Sequence, residues 1–331
     1  MTEAEARAQT YHLRTHQFFG LRPGPRLIVL AAVHGNEVCG MHAIERVARE
    51  LTEGALRIER GVLTMVPVTN PLANALGQRG GDRNLNRNLR PAAAPQDFED
   101  RIANVLCRLL DAHDALLDLH SFLAAGGEPF ALVGPPDNDG DLEPFARSAE
   151  ESALAAHVGP ARIVEGWMAA YDRGVRRRRQ RPGSAERQHL LNNDPNYGVG
   201  TTEYMRARGG YAVTVECGQH EDPAAPEVAY RAIMQALALL RLAPVPLAPP
   251  VPRHEVIRLV DVTDRLHPDD TFVRAWSSFD AVRAGEPIGR RHDGTLVTAP
   301  ADGRVVFPNA RAEPGQEWFY FAQPSARTLL D

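Results

Sequence analysis

From residue 26 to about residue 242, short apolar runs alternate with amphipathic stretches. The runs Arg26–Val33, Gly61–Val68, Ala115–Leu119, Pro129–Val133 and Tyr211–Val215 read as buried strands. Between and after them, Val38–Leu51, Gln96–Asp111, Asp141–His157 and Ala225–Leu242 read as helices. This alternation predicts an α/β layer on a mixed, mostly parallel sheet flanked by helices.

The pattern then changes. Ala243–Pro252 holds five prolines in ten residues, an extended and stiff composition expected of a domain linker. Beyond it, Val256–Val262, Phe272–Trp276, Thr295–Thr298 and Arg304–Phe307 read as short strands separated by turn signals. The expected organisation is a catalytic unit over residues 1–242, a linker over 243–252 and a small all-β unit over 253–331 that covers the active site.

Composition narrows the chemistry. The net charge of −5 gives no reason to expect a nucleic-acid partner. All 37 basic residues are Arg, which excludes Schiff-base lysine chemistry, a Walker A loop and a biotinyl or lipoyl acceptor. Cys39, Cys107 and Cys217 are too scattered for a disulfide framework. Met1–Thr10 lacks the apolar core of a signal peptide, and no apolar run is long enough to span a membrane. A cytoplasmic location is expected. Arg176–Arg179, with the following Gln180–Gly183, reads either as an anion-attracting rim or as a solvated loop.

Two motifs fall at strand ends, where ligands bind in open α/β sheets. His34-Gly-Asn-Glu37 follows the first strand, and Asp118-Leu-His120 closes the third. Either alone is commonplace. Together they offer two His and one Glu, a ligand set of catalytic zinc. Between them, Arg79 and Asn86-Arg87 supply guanidinium and amide donors suited to a carboxylate or a developing oxyanion. Glu216 ends a strand that is apolar on both faces, where it reads as a general base or as a salt-bridged turn residue.

As an ordered set, His34, Glu37, Asn86-Arg87, Asp118-Leu-His120 and Glu216 resemble the succinylglutamate desuccinylase/aspartoacylase family of zinc carboxypeptidase-like hydrolases. The resemblance implies one zinc per chain, held by His34, Glu37 and His120. It implies that Glu216 is the catalytic base, that Arg79 polarises the scissile carbonyl, and that Asn86 and Arg87 grip a substrate carboxylate. By spacing alone, Arg206 falls where aspartoacylases place a second carboxylate-binding Arg. Asp118 is placed to orient a zinc histidine. Two departures bear on the substrate: Asn84 stands where the family has Asp, and Leu89 where an aromatic is frequent.

The expected function is hydrolysis of the amide of a small anionic N-acylated amino acid or related carboxylate. The alternatives are a metallocarboxypeptidase acting on peptides and an inactive metal- or ligand-binding relative. The acyl group and the oligomeric state, a homo-oligomer included, stay open.

Overall fold

A computed structural model describes residues 2–123, 127–180 and 193–330. In chain order the elements are α1 (Glu3–Ala8), β1 (His16–Phe19), β2 (Arg22–Ala31), α2 (Cys39–Thr52), β3 (Arg60–Val66), α3 (Pro71–Leu76), α4 (Phe98–Asp111), β4 (Ala115–Phe122) and β5 (Phe130–Leu132). There follow α5 (Ser148–His157), β6 (Arg162–Glu165), α6 (Trp167–Gln180), α7 (Thr201–Ala207), β7 (Tyr211–Gln219) and α8 (Ala225–Leu239). The rest is β-structure: β8 (Glu255–Asp264), β9 (Thr271–Phe272), β10 (Asp280–Val282), β11 (Pro287–Arg290), β12 (Leu296–Thr298), β13 (Gly303–Val306) and β14 (Glu317–Pro324).

The strands form one large sheet in the order β1-β3-β2-β4-β7-β5-β6-β8-β14-β13-β10 and a small second sheet, β12-β11-β9. At its centre β3, β2, β4 and β7 run parallel. Their residues are apolar on both faces because helices cover both. Leu27, Val29 and Ala31 of β2 join the core under α2 and α8. The intervening Ile28 and Leu30 join the core under α4 and α7. This is the period-2 alternation of a strand buried on both sides.

Several predicted ends move. β4 and β7 continue past Leu119 and Val215, because their backbones stay paired through His120 opposite Glu216 and, after a register shift, Phe122 opposite Gln219. The first seven residues of the expected helix 141–157 are irregular; Asn138 and Phe145 instead form an isolated β-bridge, and α5 begins at Ser148. Helix α6, unforeseen in the sequence, carries the four-Arg run. Arg176 pairs with Asp172 one turn back on α6, while Arg177 with Asp261 and Arg178 with Asp264 anchor the helix to β8. The Arg181–Gly183 part lies outside the described residues.

The C-terminal β-structure does not stand apart from the main sheet. β6 pairs in parallel with β8, and β14, β13 and β10 then extend the sheet antiparallel. Residues 243–252 connect α8 to β8 without regular structure.

Candidate metal centre and active-site cavity

The turn after β2 is built from both sides. Ala32 adopts a left-handed backbone, φ +46°, costly for a residue with a Cβ. The carbonyls of Ala31 and Ala32 are held by the backbone N–H groups of Thr69 and Asn70, each at 3.0 Å. A Cβ on Gly35 would lie 2.0 Å from the backbone carbon of Ala73, so only glycine permits this approach to α3. The Glu37 N–H closes the turn on the His34 carbonyl at 3.0 Å. Both side chains then point inward, and His34 and Glu37 are almost fully buried.

His120, from β4, meets them. Its Nδ1 lies 2.8 Å from Glu37 Oε2 and 3.2 Å from His34 Nδ1, while His34 Nδ1 lies 2.9 Å from Glu37 Oε1. The three side chains are the one His/Cys/Asp/Glu group among the described residues placed to hold a metal ion. Both histidines present Nδ1 to a common point and turn Nε2 outward, His34 to Asn84 Oδ1 at 3.1 Å and His120 to Asp118 Oδ2 at 3.0 Å. An outer partner on the far ring nitrogen is what fixes a metal-binding histidine in its tautomer and orientation. Asn84 is thereby explained as a partner of His34, a role that its sequence position alone did not disclose.

The electrostatics follow from burial and crowding. Burial, with Arg79 nearby, pushes His34 down to about 4. His120 is held well above its ordinary value: burial opposes its charge, but Asp118 and Glu37 outweigh it. Burial likewise works against ionisation of Glu37, and the facing histidines overcome it, leaving that carboxyl well below the usual range. Arg79 Nη1 reaches Glu37 Oε1 at 2.9 Å.

Glu216 sits on β7 as the register partner of His120. Its Oε2 is buried without a hydrogen-bond partner among the described residues. Burial first, and the Glu37 charge second, raise its carboxyl to about 7, near where a general base is most useful.

His34, Glu37, Arg79, Asn84, His120 and Glu216 open on one cavity of about 1030 Å³. Asn86 Oδ1 accepts the Thr201 N–H at 2.9 Å, and its own N–H donates to Asn84 Oδ1 at 2.9 Å. Arg87 lies over the Trp167 ring at 4.6 Å and donates Nη1 to the Asn86 carbonyl at 2.8 Å. Arg206 also lines the cavity but is heavily engaged: Nε meets Glu151 at 2.8 Å, and Nη1 meets Glu143 at 3.1 Å and Glu203 at 3.4 Å.

Part of the lining was not foreseen. Ser278, Phe307, Asn309, Glu317 and Tyr320 come from the C-terminal strands and loops. Tyr320 is buried with its hydroxyl unpartnered among the described residues. His220 enters from the end of β7, its Nδ1 2.8 Å from Ser121 Oγ. No local motif marks such residues, because β14 reaches the cavity only through its pairing with β8.

Residues 23–164 match the family model of the succinylglutamate desuccinylase/aspartoacylase catalytic domain. A comparison with curated proteins gives no match. Among solved structures, a succinylglutamate desuccinylase/aspartoacylase from Rhodobacter sphaeroides superposes with TM-score 0.68 at 17% identity, covering 95% of this chain and 90% of that one. A succinylglutamate desuccinylase from Vibrio parahaemolyticus gives TM-score 0.65 at 17% identity, over 96% and 93% of the two chains. The product-bound ectoine utilization protein EutE (DoeB) from Ruegeria pomeroyi gives TM-score 0.62 at 20% identity, over 91% and 86%. These likenesses establish the fold along nearly the whole chain, and over residues 23–164 the chain carries the pattern of the succinylglutamate desuccinylase/aspartoacylase catalytic domain, a family of deacylating hydrolases.

Proposed function

We propose that the protein is a zinc-dependent hydrolase that cleaves the amide of a small N-acylated amino acid or related carboxylate. One observation carries the reading: His34 Nδ1, His120 Nδ1 and the Glu37 carboxylate converge within 4.8 Å of one another at the wall of a cavity that also holds Glu216. The donor set fits zinc, since two imidazoles and one carboxylate leave a tetrahedral position open. A zinc ion there would supply Lewis-acid activation of water and of the scissile carbonyl.

The chain's own groups account for the rest. Glu216, with a free Oε2 and a carboxyl raised to about 7, takes the proton from the attacking water and returns it to the leaving nitrogen. Arg79, beside Glu37, donates to the oxygen on which negative charge develops. Asn86 and Arg87 hold the substrate carboxylate away from the reacting carbon. The C-terminal residues in the lining limit the length of the substrate, which favours small amides over peptides.

The test is amine release from N-acetyl, N-formyl and N-succinyl amino acids by protein with measured zinc content. About one zinc per chain and turnover on at least one member are expected. Full zinc occupancy with no amide cleaved would leave a metal-binding protein and no hydrolase.

A further inference from the structure

Resting on the hydrolase reading above, we infer that the substrate carries a single carboxylate, held at Arg87, and that Glu143 and Glu203 close the Arg206 end of the cavity to a second one. The two guanidiniums that line the cavity, the half-buried Arg87 and the buried Arg206, are in opposite states. Arg87 spends one donor on the Asn86 carbonyl and covers Trp167 with its face; its Nε and Nη2 have no partner among the described residues. Glu317, the acid that acts on it, is itself 3.7 Å from Arg178.

Arg206 is almost fully engaged. Its Nη2 donates to the Ala212 carbonyl at 3.0 Å, its Nε is taken by the fully buried Glu151, and its Nη1 is shared between Glu143 and Glu203. A Cβ on Gly134 would lie 2.4 Å from Arg206 Nε, so the loop before α5 packs directly on the guanidinium. The side chain ties α7, α5 and β7 together, a structural task that fixes it in place.

One positive charge faces three acidic side chains at this end of the cavity, so it has none to spare for another acid. Burial, together with Glu203 and Glu151, raises Glu143 to about 8 despite the Arg206 charge. A substrate carboxylate arriving here would meet a guanidinium whose charge Glu151 and Glu203 already share and whose donors are almost all engaged, so most of its desolvation would go without repayment. A neutral side chain suffers no such penalty.

The experiment pairs calorimetric binding with turnover on zinc-loaded enzyme. The ligands are N-acetylalanine and N-acetylmethionine against N-acetylaspartate, N-acetylglutamate and N-succinylalanine. Monocarboxylates should bind about tenfold or more tighter than dicarboxylates, with a correspondingly lower Kd, and should exceed them about tenfold or more in kcat/KM, the scale of one charge-assisted hydrogen bond. The double variant E143Q/E203Q should narrow that ratio by lowering KM for the dicarboxylates. A wild-type preference for dicarboxylates overturns the inference, as does an unchanged ratio in the folded double variant. Loss of the hydrolase reading would look different: selective binding of the ligands without cleavage of any.

Discussion

His120 on β4 and Glu216 on β7 are register partners in a parallel pair, so the candidate ligand and the candidate base stand side by side on one face of the sheet. The separation is set by strand spacing and does not depend on a mobile loop. Replacing Glu216 with the nearly isosteric Gln should therefore leave the sheet and the metal centre in place. It should lower kcat by about 10²–10⁴-fold, because Gln cannot accept a proton from water. Measuring kcat, zinc content and Tm on one preparation checks this. Near-normal kcat at full zinc occupancy would remove Glu216 from the mechanism.

Asp118 is buried, with Oδ2 on His120 Nε2 at 3.0 Å and also accepting the Thr201 hydroxyl, while Oδ1 has no partner among the described residues. D118N keeps the shape and removes the charge that makes His120 a stronger donor to a metal. Zinc affinity, read by competition with a chelator, should weaken by about 10–100-fold. H120A should lose most of the metal. Wild-type affinity in both variants would relocate the site.

The legible part of this site is the part whose chemistry and backbone position are both local. His34-Gly-Asn-Glu37 could be read because a buried strand ends just before it, and Asp118-Leu-His120 for the same reason. Arg206 shows the limit. Its spacing from Glu216 suggested a carboxylate contact, yet its partners Glu143 and Glu151 lie 63 and 55 residues away and could be known only from the fold. The same holds for Tyr320, which the β8–β14 pairing brings to the cavity. The proline-rich stretch suggested a boundary in the chain. It could not show that β8 resumes the main sheet beside β6, because strand order is not encoded in local composition.

The Arg87 guanidinium is stacked on Trp167 at 4.6 Å with donors to spare. R87A should raise KM for carboxylate-bearing amides by about tenfold or more, since a charge-assisted contact is lost. The corresponding neutral primary amides should change much less. Initial-rate kinetics on matched acid and amide substrates decide it. Equal losses for both would mean that Arg87 serves the fold or the reacting carbon and does not grip the carboxylate.

Asp270, in the C-terminal β-structure, is buried and accepts from the backbone N–H groups of Leu266 at 2.8 Å, His267 at 3.2 Å and His292 at 3.0 Å, and from Arg291 Nη1 at 2.8 Å. Burial alone would raise its carboxyl, but these donors outweigh it and lower it from 3.8 to about 2. A depressed carboxyl binds its proton more weakly when folded than when unfolded. Its stabilising contribution is therefore complete above about pH 4 and is lost as the pH falls toward about 2, a window set by the two values. The magnitude is on the order of 2 kcal/mol. D270N should lower stability at neutral pH, because its amide group presents N–H toward donors that need an acceptor. The deficit should shrink as wild type is acidified through that window, since protonated Asp270 loses the same interactions. Denaturant melts of both proteins from pH 7 to about pH 2 test the sign as well as the size. Parallel stability curves with a constant offset would show that Asp270 contributes through packing, with no part for its charge.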